Sequence, residues 1–181
     1  LNPHGGQQKG PKLLKQILPT FEAANLDITI IETTFAGHAN ELAHQLNFDG
    51  YEGMIVIGGD GTMHEVVNGM LTRPDKKQLP IGLIPGGTGN SFMHDLELMN
   101  PIDAAKAIIS GNTHKIDVAE VKIKHVIKYA FNIIGWGLVT DVGNKAEKWR
   151  WLGEARYTLL SVFEVLKYKP RSATLILDND K

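Results

Sequence analysis

The chain has 181 residues, 43% hydrophobic and 22% charged, with a formal net charge of −1, the composition of a soluble globular protein with enough apolar residues for a sizeable core. So balanced a charge argues against a general nucleic-acid binder, which carries a basic excess. Cysteine is absent, which rules out disulfides and thiolate metal sites and suits an intracellular setting. No signal peptide opens the chain, and no apolar run reaches the roughly 18–20 residues that span a bilayer.

The opening Leu1-Asn2-Pro3 carries no Met, so the sequence is expected to be a piece of a longer chain, with Leu1 ending a strand that precedes it. "LNPHGGQQKG" is a glycine-rich turn. In "PKLLKQILPTFEAANL", Leu13, Leu14, Ile17 and Leu18 recur at helical spacing, with Pro11 suited to a first turn. "DITIIET" is β-branched and predicts a strand, and "GHANELAHQL" predicts a helix starting just after Gly37. "GMIVIGG" is a short apolar run bounded by glycine, the pattern of a strand buried on both faces. "MHEVVNGML" is helical, "PIGLIPGGTGN" is a second apolar strand running into a glycine loop, and "PIDAAKAIISG" is a helix stopped by Gly111.

Strand, helix, strand, helix, strand in that order predicts an α/β fold: a parallel sheet with helices on both faces, over residues 1–113. After residues 112–118 the texture changes. "HKIDVAEVKI" and "VIKYAFNIIGWG" predict long strands forming a hairpin, "EARYTLLSVFEVLK" an amphipathic helix, and "SATLILD" a strand at the chain end. Residues 114–181 are thus expected to begin a β-rich, β-sandwich-like second domain that is cut short.

In an open parallel sheet, ligands bind beyond the carboxyl ends of the strands. "IVIGGDGT" and "GLIPGGTGN" both place glycines at such an end, where the main chain can approach a phosphate closely and turn its N–H groups inward. A helix starting at Met63-His64 adds its positive end to the same spot. Together they predict a polyphosphate site. Asp60 is the odd member, because a carboxylate repels phosphate. Three roles stay open for it: binding Mg²⁺, accepting a proton from an attacking hydroxyl, or capping the helix that follows. The histidines show no metal-ligand spacing, and Met63, Met70 and Met93 suit the core.

"GGDGT" at 58–62, "EVVNG" at 65–69 and "PGGTGNSF" at 85–92 resemble the catalytic domain of the diacylglycerol kinase and sphingosine kinase superfamily. Asn2-Pro3 with Gly5-Gly6, and Thr33 followed by Gly37-His38-Ala39, match elements of the same family. Residues 135–168 look most like its sphingosine and ceramide kinase branch. GGDGT alone is shared with NAD kinases, which leaves an NAD kinase-like enzyme, or a non-catalytic nucleotide-binding relative, as alternatives.

The resemblance implies an ATP-dependent lipid kinase, with ATP and Mg²⁺ as cofactors and a lipid hydroxyl as acceptor at a membrane surface. It further implies a cytoplasmic, peripherally membrane-associated protein whose second domain binds lipid. By that resemblance Asp60 assists deprotonation of the hydroxyl. Gly58, Gly59, Gly61 and Thr62 shape the phosphate loop, and Gly86, Gly87, Thr88, Gly89 and Asn90 form a second nucleotide wall. Asn2, Pro3 and Gly5 contact the nucleotide, Thr33 lies near the adenine, and Glu65 either lines the cleft or sits on a helix surface. Arg150 and Arg156 match basic residues that reach ATP phosphates, a task suited to a rigid two-pronged donor.

Three positions depart from the family's pattern. Gln7 stands where sphingosine kinases carry a lysine, leaving Lys9 alone there. Ser91 stands where bacterial diacylglycerol kinases have Asp, which favours the sphingolipid branch. Gly143 replaces the Asp that holds the ammonium of a sphingoid base. Asp141, two residues earlier, would share its face if the segment were an extended strand; otherwise the substrate lacks an amine. Leu138 and Phe163, with Asp141, are the expected acceptor-site residues.

Overall fold

The structure is a computed structural model and describes residues 1–5, 8–135, 138–149, 155–166 and 172. Its contacts divide the chain into two compact units, Leu1–Ile133 and Ile134–Lys181. The first contains α1 (Gly10–Ala23), α2 (His38–Gln45), β1 (Met54–Gly58), α3 (Asp60–Leu71), β2 (Ile81–Pro85), α4 (Ser91–Asp95), α5 (Pro101–Ile109), β3 (Ala119–Ile123) and β4 (Val126–Ala130). The second contains α6 (Leu138–Lys148) and α7 (Ala155–Leu166).

β1 and β2 pair in parallel, with Met54 opposite Ile81 and Gly58 opposite Pro85. Each strand is buried over its last three residues, Val56 to Gly58 and Leu83 to Pro85. That register has a direct consequence: both chains leave the sheet at the same level, so their glycine turns emerge side by side.

Residues 27–33, expected as a strand, run without a ladder. Their backbone bonds go to a single residue: Leu1 N donates to Ile31 O, and Thr33 N donates to Leu1 O, each at 2.9 Å. Asn2 N donates in turn to Ile57 O at 3.0 Å, so the main chain of Leu1-Asn2 lies between this segment and β1.

The predicted helices follow their apolar faces. Ile17 and Phe21 of α1, Val66 and Val67 of α3, and Ala104 and Ala105 of α5 join Val56, Ile57, Leu83 and Ile84 of the strands in one buried cluster. α5 ends where its sequence predicts, with Gly111 following at φ +69°, and at its start the Asn100 side chain accepts from the N–H groups of Ile102 and Asp103. α2 crosses α3 closely enough that a β-carbon on Gly69 would stand 2.2 Å from the Asn40 carbonyl oxygen. Only glycine fits there.

β3 and β4 form the expected antiparallel hairpin, with Ala119 opposite Ala130 and Ile123 opposite Val126. Both strands are shorter than predicted. The hairpin groups with the first unit although the sequence texture changes before it, at 112–118. The physical reason is Asn68, a buried side chain on α3 that acts as a strand neighbour. Its Oδ1 accepts from Tyr129 N, and its Nδ2 donates to Tyr129 O, each at 2.9 Å. Phe131, just past β4, meets Phe92 of α4 edge-to-face with ring centroids 5.3 Å apart.

In the second unit Val142 and Ala146 of α6 and Leu160 of α7 are buried together, and Lys145 pairs with Glu164. α7 falls on the helix expected at "EARYTLLSVFEVLK", whereas α6 is not among the predicted elements. The segment "SATLILD" lies outside the described residues, Ser172 excepted.

Candidate functional site

The two glycine turns pack main chain against main chain. Gly86 N donates to Gly58 O at 2.8 Å, and a β-carbon on Gly59 would stand 2.8 Å from the Cα of Gly87. The GGDGT stretch is not the extended loop its glycines suggest. α3 starts at Asp60, with Gly59 as its N-cap, so Asp60, Gly61 and Thr62 are the helix's first turn. Their N–H groups belong to the set that has no acceptor within a helix, and the positive end of the helix dipole coincides with them.

Asp60 does cap a helix, but not its own. Oδ2 accepts from Ser91 N at 2.9 Å and Oδ1 from Phe92 N at 3.1 Å, both in the first turn of α4. One carboxylate therefore ties the start of α3, beyond β1, to the start of α4, beyond β2. The sequence offers no sign of α4, a single short turn following the second loop.

Asn90 fixes that second loop from inside. It adopts a left-handed conformation at φ 51°, and its amide closes on Gly87, accepting from N at 2.8 Å and donating to O at 3.0 Å. Thr88 is half-buried and Gly89 exposed above it.

Asn2 organises the opening turn in a similar way. Its Oδ1 accepts from His4 N at 3.0 Å and Gly5 N at 2.9 Å, folding the chain back around Pro3. Its Nδ2 donates to Thr62 Oγ1 at 3.0 Å, so the Asn-Pro turn sits against the first turn of α3. Thr33 is buried and bonded to Leu1, the residue before Asn2. Asn2, Gly5, Thr33, Gly58 to Thr62 and Gly86 to Asn90 are therefore linked in one neighbourhood.

Glu65 has a definite partner: its Oε1 accepts from Gly37 N at 3.1 Å, at the start of α2. It is a helix-to-helix tie. Arg73, which sequence reasoning passed over, holds the other end of α2. Its Nη1 donates to Ala43 O, His44 O and Leu46 O at 2.9, 3.0 and 2.9 Å, its guanidinium lies 4.0 Å from the Phe48 ring centroid, and it pairs with Asp75. That pairing holds the Asp75 carboxyl at about 2, chiefly through the hydrogen bond to Arg73.

The remaining expected residues lie in the second unit. Arg150 is outside the described residues, and for Arg156 and Leu138 only membership of α7 and α6 is described. Phe163 is 59% exposed on α7. Asp141 and Gly143 fall within α6, which corrects the strand argument. Two residues apart on a helix means about 200° of rotation, so Asp141 does not share a face with Gly143.

Among the described residues there is no group of three or more His, Cys, Asp or Glu placed to hold a metal. Asp60 is the carboxylate at the junction of the two loops. A Mg²⁺ ion carried largely by nucleotide phosphates needs only one or two protein carboxylates, and this donor set is compatible with that mode. No helix among the described residues is long and apolar enough to cross a membrane.

Residues 1–121 match the diacylglycerol kinase catalytic domain, and the chain belongs to that family. It is 34% identical over 177 residues to Sphingosine kinase 1 of Arabidopsis thaliana, covering 92% of this chain and 36% of that protein. To the ceramide kinase of Mus musculus it is 29% identical over 193 residues, covering 97% of this chain and 36% of that protein. A solved diacylglycerol kinase structure from Bacillus anthracis str. Sterne superposes with a TM-score of 0.56 at 34% identity, covering 65% of this chain and 40% of that one. The chain thus spans well under half of each relative's length.

Proposed function

We propose that this protein is an ATP-dependent lipid kinase that phosphorylates the primary hydroxyl of a sphingoid base, a ceramide or a diacylglycerol. The observation that carries the reading is the junction of Gly59 with Gly87, bridged by Asp60. It makes a surface of bare main chain at the N-terminus of α3, suited to a polyphosphate and placed beside a single carboxylate.

In this reading the first turn of α3 and the 86–90 loop hold the β- and γ-phosphates, while Asn2 and Thr33 border the rest of the nucleotide. Mg²⁺, when bound, neutralises phosphate charge, and Asp60 is the residue of this chain suited to face it. Arg150 and Arg156 are proposed phosphate ligands, and Asp141, Leu138 and Phe163 acceptor-site residues. Catalysis then comes mostly from positioning and from donors fixed before the reaction. Relatives named for a sphingosine, a ceramide and a diacylglycerol kinase support the class of acceptor, and Gly143 leaves the amine-free members of that class as strong as the sphingoid base.

The test is transfer of labelled γ-phosphate from ATP to a mixture of sphingosine, ceramide and diacylglycerol by the full-length protein. A labelled lipid phosphate that disappears in Asp60→Asn supports the reading. Labelled NAD phosphate, or ATP binding without transfer to any lipid, overturns it.

A further inference from the structure

The tip of the β3–β4 hairpin carries basic and apolar residues in alternation, "KIKHVIK" over residues 122–128. Ile123 and Val126 stand opposite each other in the last pair of the ladder, so they share one face, and they are 63% and 54% exposed. Lys122 and Ile127 are paired on the other face. Both are exposed, as are Lys124 in the turn and Lys128 on β4.

Glu120 is the hairpin's only acidic residue, and it is already engaged. Its Oε1 lies 3.7 Å from Lys122 Nζ, and its Oε2 accepts from the Tyr129 hydroxyl at 3.3 Å. A chain with a formal net charge of −1 thus gathers a local positive excess at one turn. Beside it, Ile123, Val126 and Ile127 stand outside the buried core among the described residues.

Chemistry separates the occupants such a tip could take. Protein interfaces are depleted in lysine, which is costly to bury there. Two copies meeting tip to tip would set like charges against each other. An anionic bilayer surface suits both halves of the pattern: the apolar side chains enter the headgroup region, while the lysine stems lie along it and present their ammonium groups to the phosphates.

We propose that the hairpin tip docks on an anionic membrane surface, with Ile123 and Val126 inserted among headgroups that Lys122, Lys124 and Lys128 attract. This rests on the kinase reading above, whose acceptors are membrane lipids. The docked tip also orients α3. Asn68, whose Nδ2 donates to His64 O at 2.9 Å within its own helix, grips the main chain of Tyr129, one residue from Lys128. β4 is therefore fixed to the helix whose first turn carries Asp60.

The experiment measures co-sedimentation of the full-length protein, without ATP, with vesicles of phosphatidylcholine alone or with one-third phosphatidylserine. Wild type should bind the anionic vesicles at least about tenfold more tightly, and raised salt should remove the difference. Lys122→Gln with Lys124→Gln should weaken binding to the anionic vesicles by about 25-fold, roughly fivefold for each lysine. Ile123→Ser with Val126→Ser should weaken binding to both compositions by roughly tenfold. These positions are exposed, so thermal melts should match wild type. Transfer to lipid in detergent micelles should persist while transfer to lipid in anionic vesicles falls. Variants that bind anionic vesicles as wild type does, or a wild type indifferent to phosphatidylserine, overturn the proposal and leave the kinase reading standing. A dimer that Ile123→Ser with Val126→Ser dissolves gives the tip to a second copy and overturns it as well. Tip-dependent vesicle binding by a protein that phosphorylates no lipid overturns the kinase reading and leaves the docking surface.

Discussion

Gly59 and Gly87 touch through their backbones: a β-carbon on Gly87 would stand 2.5 Å from the Cα of Gly59. No rotamer change relieves such a contact, because neither partner has a side chain to move. Gly87→Ala must therefore push the two turns apart, at a cost of about 1–3 kcal/mol. The expected result is a lower urea midpoint together with a several-fold rise in the KM for ATP. Unchanged ATP affinity would mean that the junction is only architectural.

Asn90 makes a sharper comparison possible, since two effects separate at one position. Asn90→Ala loses both bonds to Gly87 and forces an alanine into left-handed backbone, whereas Asn90→Gly loses only the bonds. Alanine is expected to cost about 2 kcal/mol or more, with glycine milder by roughly 1 kcal/mol. Equilibrium denaturation of the two variants measures the difference, and equal values would deny any conformational contribution.

Asn68→Ala leaves Tyr129 N and O without their side-chain partner, and should cost about 2–3 kcal/mol. Asn68→Asp keeps an acceptor for Tyr129 N but sets a carboxylate oxygen against two carbonyl oxygens. It is expected to be no better than alanine at pH 7 and to recover on acidification as it regains a proton. Thermal melts at pH 7 and pH 4 check the reversal.

Asp75 yields a pH prediction with a definite sign. Its carboxyl is depressed to about 2 beside Arg73, below the ordinary unfolded value near 4. The stability it contributes is complete above the unfolded value and is lost as pH falls through about 2. The gap in stability between wild type and Asp75→Asn should thus stay constant from pH 7 to pH 5, then close between roughly pH 4 and pH 2. A gap that closes at higher pH would contradict the pairing. Arg73→Ala is the more damaging change, because it also uncovers three carbonyl oxygens at the end of α2.

Much of the fold is legible where a local pattern and the tertiary structure agree. The apolar runs before Gly58 and Gly86 give β1 and β2, and the 3.6-residue spacing of Ile17 and Phe21 with their neighbours gives α1. The glycine loops lie side by side at the ends of β1 and β2, where their sequence context predicts them. What escapes the sequence is long-range. As a cap, Asp60 has only its own helix within local sequence reach, yet it caps α4, whose first residue is 31 positions away. Asn68 looks like an ordinary helix polar residue until a strand 61 positions on is seen to pair with it. The strand argument for Asp141 fails for another reason: three residues around a glycine carry too little periodicity to separate a strand from α6.

α2 has eight residues and a glycine N-cap without a side chain to serve it, which is too short to persist in water alone. Its two ends are served by Glu65 of α3 at the amino end and by Arg73, two residues beyond α3, at the carboxyl end, with charges of the sign each end favours. The two helices therefore open and close as one cooperative unit. Amide hydrogens of α2 should exchange with solvent at the pace set by α3, and anything that steadies the first turn of α3 will slow exchange along α2 as well.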